Sequence, residues 1–270
     1  MRAYLDLVER VLTNGTYKKN RTGVDTISCF GEHYTVDLSA GYPLLTTKRV
    51  NFRSMLHEVL WYLSGEDHIR NLRQHTKIWN AWADENGNLD TAYGRYWRRF
   101  PSARMVPETG QYEVVEIDQI GQVIELLKTD PTSRRMVVTA WEPGNAFSSK
   151  LPPCHYTFAF NVQGDSLCCH LTQRSGDIAL GVPFNLAAYA LLTQILAQET
   201  GFRPGLFSHT IVDAHIYVNH VDGLKEQLTR TPRPLPRLDI APKPIGDLQF
   251  EDFTLVGYDP YEAIKFEVAV

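Results

Sequence analysis

Apolar residues recur at helical spacing in three stretches of the chain: Leu5, Val8 and Leu12; Met55, Val59, Leu60 and Leu63; and Ile117, Ile120, Val123, Ile124 and Leu127. A period near 3.6 places such residues on one face, so each stretch predicts an amphipathic helix. From Asn185 to Thr200 the pattern changes, because Leu186, Tyr189, Ala190, Leu192, Leu196 and Ala197 occupy most of the circumference. That predicts a helix buried on several sides. The runs Cys154 to Asn161 and Ser166 to Gln173 are β-branched, aromatic and partly alternating, and Val162-Gln163-Gly164-Asp165 between them predicts a hairpin turn. The prolines of Arg230-Thr231-Pro232-Arg233-Pro234-Leu235-Pro236-Arg237 exclude a helix and make an extended connector, with short strands expected around Phe253 and Ile264. Repeats, flexible linkers and composition shifts are absent from the sequence. Helices scattered among mainly antiparallel strands therefore predict an α+β fold: one domain over residues 1–270, with a large mainly antiparallel or mixed twisted sheet flanked by helices.

Composition narrows the function classes. With 43% apolar and 21% charged residues the chain is globular, neither disordered nor fibrous. A net charge of −4 and a pI near 6.1 deny it the overall field of a nucleic-acid binder, so an anionic ligand must be met by local cations. The absence of an apolar run of about 18 residues argues against a membrane span. Asp6, close to the start, argues against a signal peptide, and the expected location is cytoplasmic. The four cysteines, Cys29, Cys154, Cys168 and Cys169, form no CxxC pair, and neighbours such as Cys168 and Cys169 face opposite ways on a strand. A reduced, metal-free protein is the expectation.

Several residues could carry chemistry. Cys154 follows Leu151-Pro152-Pro153, so two prolines fix the backbone that presents its thiol. A free cysteine can equally be a small buried hydrophobe, and a nucleophilic role needs nearby cations to lower its pKa. His155 is a poor partner, since consecutive strand residues face opposite sides. Arg21, Arg134, Arg135 and Arg174 are each compatible with a solvated surface charge, and together with a phosphate site built from guanidinium forks. Arg134 and Arg135 splay apart at the head of a strand, so both reach one pocket only with help from a bend or a partner chain. Glu58 borders the apolar stripe of its helix, where a carboxylate either snorkels or is held for proton transfer. Asn185 can be a helix N-cap or a ligand-binding amide. Asp213, His215 and Tyr217 alternate, so they share one side of a strand, facing water or gripping a sugar hydroxyl. Trp79, Trp82, Tyr93, Tyr96 and Trp97 fit core or interface as readily as a ligand platform.

Taken together, Pro153-Cys154-His155, Gln173-Arg174-Ser175-Gly176-Asp177, Gly181-Val182-Pro183-Phe184-Asn185, Asp213-Ala214-His215-Ile216-Tyr217 and Pro232-Arg233-Pro234-Leu235-Pro236 resemble the folate-dependent thymidylate synthases. Thr46-Thr47-Lys48-Arg49, His57, Glu58, Trp61, the Trp82-Ala83-Asp84-Glu85-Asn86-Gly87 segment and Tyr93-Gly94 fit as well, and nearly the whole chain is covered. The resemblance implies a methyltransferase that converts dUMP to dTMP, with 5,10-methylenetetrahydrofolate as cosubstrate and no metal. It implies a homodimer with sheets packed against each other, in which Arg134 and Arg135 serve the neighbour's site. Arg21, Arg174 and Ser175 would join them around the 5′-phosphate, and His215 and Tyr217 would hold the deoxyribose 3′-hydroxyl. Arginines around Cys154 would favour its thiolate.

The resemblance also implies a route. Cys154 adds to uracil C6, because C5 alone is too weak a nucleophile. The charge that develops on O4 is stabilised by Asn185 and by water organised by Glu58. C5 then attacks the folate methylene, Tyr93 stands near the departing C5 proton, and hydride transfer yields dTMP and dihydrofolate. Trp79, Trp82, Ile78, Leu151, Gly181, Phe184 and Ala269 would line the folate space, and Asp177 would bind the pterin. The Asn185 amide offers a donor for O4 and an acceptor for N3–H, which favours uracil over cytosine. Asn80, Val212 and Phe266-Glu267 depart from the family pattern. The last lies where the tail closes over folate, and leaky closure would let water capture the exocyclic methylene to give 5-hydroxymethyl-dUMP. A hydroxymethylase of the same fold is thus the alternative, and a catalytically silent nucleotide-binding or weakly RNA-binding relative is the rival from another class.

Overall fold

A computed structural model describes residues 1–147 and 149–268. Seven α-helices are described: α1 (Arg2–Asn14), α2 (Phe52–Ser64), α3 (Tyr93–Arg98), α4 (Gln119–Thr129), α5 (Pro143–Ala146), α6 (Gly181–Thr200) and α7 (Val221–Leu228). The strands are β1 (Thr16–Lys18), β2 (Thr26–Asp37), β3 (Phe100–Met105), β4 (Tyr112–Ile117), β5 (Val137–Thr139), β6 (Thr157–Gln163), β7 (Ser166–Asp177), β8 (Arg203–Tyr217), β9 (Arg237–Ile240) and β10 (Phe253–Val256). The architecture is α+β in one unit. Six strands form a sheet in the order β1-β2-β8-β7-β6-β5, and β3-β4 and β9-β10 are separate hairpin-like pairs. The sheet is mixed, because β7 and β8 run parallel through the crossover helix α6 while its other neighbours are antiparallel.

The periodic stretches become α1, α2 and α4 as predicted, and the turn between β6 and β7 tightens to Gly164-Asp165, with Gly164 at φ 64°. Helix α6 is the central core element. Leu186, Leu191 and Leu196 are fully buried on it, each contributing roughly 1.5–3 kcal/mol of apolar burial. It packs on β7 and β8, and α1 packs on β2. Two expectations fail. No strand forms around Ile264, where the chain is irregular, and Cys154 lies in a bend ahead of β6 rather than inside a strand.

The three long strands share an irregularity that builds the cleft. Buried positions in β7 are 167, 169, 171 and 173, then 176; in β8 they are 205, 207, 209 and 211, then 214, 216 and the terminal 217. Ser175 pairs with Asp213, and Asp213 pairs with Phe30, next to Gly31 at φ 73°. At this one level the alternation slips by a residue in all three strands. Beyond the slip, Ser175, Asp177, Asp213, His215, Tyr217, Thr26 and Ser28 share the side away from the core face. Short of it, that same side carries His33, Thr35, His170, Thr172, Ser208 and Thr210.

Candidate active site

Cys154 is set by its neighbours on β7 and α3. Its carbonyl accepts the Arg174 amide (2.9 Å), and its own N–H donates to the Tyr93 hydroxyl (2.7 Å). The Arg174 guanidinium donates to the carbonyls of Pro153 (2.9 Å) and Pro152 (2.7 Å) and lies 3.4 Å from the Cys154 sulfur. The two prolines thus hold a cation against the thiol by presenting carbonyls that no ladder uses. Burial pushes the thiol up, and Arg174 and then Arg21 pull it back without cancelling the rise. The arginines act on the thiol in the expected direction, toward thiolate, and desolvation opposes them with the larger effect.

His155 turns into the core. Its ring stacks on Tyr93 at 3.7 Å and its Nδ1 meets the Tyr189 hydroxyl at 2.8 Å, while burial lowers its pKa to about 3. It forms no dyad with Cys154, though the reason is this docking rather than strand alternation.

Glu58 projects from α2 into a ring of aromatics and accepts Trp79 Nε1–H at 2.7 Å. Burial raises its pKa to about 7, against the opposing Trp79 hydrogen bond. Trp82 packs edge-on against Trp79 at 5.7 Å, and Ile78, Leu151 and Phe184 are partly buried on the core. Gly181 opens α6, and a Cβ there would sit 3.8 Å from both Asn185 and Asp177, ordinary contact. Ala269 lies outside the described residues.

Asn185 lies inside the first turns of α6, not at its N-cap, which is Leu180. Its Oδ1 accepts from Gln173 Nε2 (3.1 Å), Gln173 Oε1 accepts from His209 Nε2 (3.0 Å), and His209 Nδ1 meets the Tyr34 hydroxyl (2.8 Å). This buried relay fixes the amide orientation and leaves the second Oδ1 lone pair and the NH2 to a ligand. Gln173 and His209 were not singled out from sequence. The available signal was phase, since both sit at positions where the strand otherwise buries apolar side chains.

Asp177 ends β7 and accepts from the Ala179 and Leu180 amides, with His220 Nδ1 3.9 Å away. His215 donates from Nδ1 to the Asp213 carbonyl and meets Tyr217 edge-on at 5.3 Å, on one side of β8 as predicted. Asp213 is taken by Ser28 (2.6 Å) and Lys18 (3.2 Å). Arg21 is exposed in a turn and close enough to act on both Cys154 and Tyr217. Arg134 and Arg135, exposed just before edge strand β5, line a separate surface hollow with Leu126, Asp130, Thr132 and Ser133. They are not brought to Cys154 within one chain.

The family model for thymidylate synthase matches residues 2–270. A protein of Haloferax volcanii described as thymidylate synthase is 48% identical over 330 aligned residues, covering 98% of this chain and 95% of the relative. The chain belongs to the thymidylate synthase family. Cys154 and Glu58 are linked through Tyr93 and Trp79, whose rings lie 5.9 Å apart, and Asn185 is held by Gln173, the neighbour of Arg174 on β7. Among the described residues no group of three His, Cys, Asp or Glu side chains is placed to hold a metal ion, and no helix is long and apolar enough to cross a membrane.

Proposed function

We propose that the chain acts as one catalytic domain over residues 1–270, in the cytoplasm, and methylates dUMP reductively to dTMP. 5,10-Methylenetetrahydrofolate supplies both the one-carbon unit and the hydride and leaves as dihydrofolate. Cys154 is the nucleophile. The observation that carries this reading is the Arg174 clamp, which ties the Cys154 backbone and sulfur to one guanidinium. A buried thiol with a cation at hydrogen-bond range is poised to lose its proton as it attacks C6, because the developing charge is met at the sulfur. The Asn185 amide, locked by Gln173, supports recognition of O4 and N3–H of uracil. Glu58, near neutrality in pKa, can both give and take a proton at pH 7. Arg21, Arg174 and Ser175 serve the phosphate, His215 and Tyr217 the 3′-hydroxyl. Tyr93 stands by the C5 proton, while Trp79, Trp82 and Asp177 face folate.

A homodimer completes this reading. The sheet side bearing His33, His170 and Thr210 is uncovered in one chain, and Phe30 at its end is 89% exposed. It runs directly into the cleft side of the same strands, so a second copy packed there is positioned to donate Arg134 and Arg135 to the phosphate.

Incubation with dUMP and methylenetetrahydrofolate is expected to add a methyl group to the nucleotide, read by mass, with dihydrofolate formed in equal amount. A hydroxymethyl gain would assign the alternative chemistry, and an unchanged nucleotide at high enzyme concentration would overturn the enzyme reading. Shared sites make a separate prediction. Mixing inactive Cys154→Ala with inactive Arg134→Ala/Arg135→Ala chains should restore about a quarter of the sites on random exchange. No recovery after proven exchange would remove the donated arginines.

A further inference from the structure

After β10 the chain runs as an irregular strap, pinned where Tyr258 donates to the Leu45 carbonyl (2.9 Å), where the Tyr261 amide donates to Thr46 (2.8 Å) and where Arg233 lies 4.1 Å over the Tyr261 ring. Its last ring is Phe266. Phe266 rests against α7 at Gly223. A glycine inside an eight-residue helix costs about 1 kcal/mol relative to alanine, and Gly223 has no positive φ to require it. What requires it is space: a Cβ there would come 2.7 Å from Phe266 Cε1 and 3.0 Å from Ile264 Cγ2.

Two more side chains clasp the ring. Buried Lys48 places its ammonium 4.7 Å above the Phe266 centroid while donating to the Ala179 carbonyl. His220, with its ring 5.0 Å from Phe266, donates from Nε2 to the Glu267 carbonyl (2.8 Å). Both reach back to the cleft. Lys48 bonds the turn that Asp177 caps, and the buried His220 Nδ1, without a hydrogen bond among the described residues, lies 3.9 Å from Asp177 Oδ1. The strap end and Asp177 therefore form one mechanical unit.

We infer that Phe266, seated on Gly223 between Lys48 and His220, is a latch that holds the strap beside Asp177, so that the folate side of the cleft is walled before folate arrives. Phe266 is a positioning residue: it touches no reacting atom and acts through the strap and Asp177. The inference rests on the folate reading of Asp177 for its kinetic consequence and on geometry alone for the docking itself. Pre-docking spares folate the entropy of ordering the strap, which appears as tighter apparent binding.

The test pairs two substitutions that act on opposite partners. Gly223→Ala, with Phe266 intact, drives the ring out, and Phe266→Ala empties the seat. Each single variant is expected to speed trypsin cleavage at the exposed Lys265–Phe266 bond, read as mass loss, by about tenfold. Each is also expected to raise KM for methylenetetrahydrofolate several-fold and to leave dUMP affinity within twofold. In the Phe266→Ala background, Gly223→Ala should add far less to both readouts than it does alone, since only Ile264 Cγ2 at 3.0 Å then has to give way. Additive effects, or an unchanged cleavage rate in Gly223→Ala, would overturn the latch. If the unsubstituted chain makes no dTMP, the folate reading fails while the cleavage comparison still decides the docking.

Discussion

Cys154→Ser is expected to cut dTMP formation at least a thousandfold, to roughly 10⁻³ of the unsubstituted rate or below, with dUMP affinity nearly unchanged. Serine keeps the side-chain size, the amide bond to Tyr93 and the carbonyl that accepts Arg174 N–H, so the cleft keeps its shape. What it loses is an atom that can shed its proton at accessible pH and attack C6. Mass analysis with a 5-fluorinated dUMP analogue and methylenetetrahydrofolate should place a covalent adduct on Cys154 in the unsubstituted chain and none in the variant. Burial holds this thiol above its ordinary value, so adduct formation should accelerate as pH rises past neutrality, toward the thiolate. Residual turnover above about one per cent, or an adduct on another side chain, would contradict the assignment.

Glu58→Gln is expected to lower kcat by about 10²–10⁴-fold, the range for losing a positioned acid-base group. The kcat profile of the unsubstituted chain should carry a limb near pH 7, where Glu58 passes from proton donor to acceptor, and the variant should lack it. The same substitution should stabilise the fold. Because the folded pKa is about 7 against about 4.5 unfolded, the native state holds a proton that the unfolded chain has released. Stability from this carboxyl is thus present below pH 4.5 and lost as pH rises to 7. Glutamine is neutral throughout and can still accept from Trp79, so the variant's advantage should be nil at pH 4 and reach at most about 3 kcal/mol above pH 7. Thermal unfolding at the two pH values reads it, and an equal or lower Tm at pH 8 would place Glu58 in water rather than among the aromatics. A group that costs stability where it works is the usual signature of a functional carboxylate.

Much of this was legible along the chain. Helices α1, α2 and α4 follow the 3.6-residue period because each buries one face, and the Asp213-His215-Tyr217 stripe follows the period of two. The misplaced strand start has an identifiable cause: the alternation around Cys154 reads as strand, but the carbonyls of Pro152 and Pro153 are taken by Arg174, 22 and 21 residues on. The pull of Arg174 and Arg21 on the Cys154 thiol was legible too, but a sequence displays cations and not the burial that opposes them. Gln173 and His209 lie 36 residues apart, and only the parallel pairing of β7 and β8 brings them together to orient Asn185. Sequence pattern flags each as a polar residue in an apolar phase and is silent on the partner. Among the site residues, Arg134 and Arg135 stand apart from Cys154, and both line one hollow of their own despite the splaying expected of neighbours at a strand head.

The shared one-residue slip at Gly31, Ser175 and Asp213 makes the molecule unevenly tolerant of length changes. Delete a single residue from β7 ahead of Ser175 and the parity of everything downstream reverses: Asp177 is sent into oil and Ile178 into water. The tip between β3 and β4, by contrast, can lengthen or shrink without turning any of these side chains over. Natural or laboratory indels should therefore accumulate at that outlying tip and be purged from the three long strands, however mild their composition.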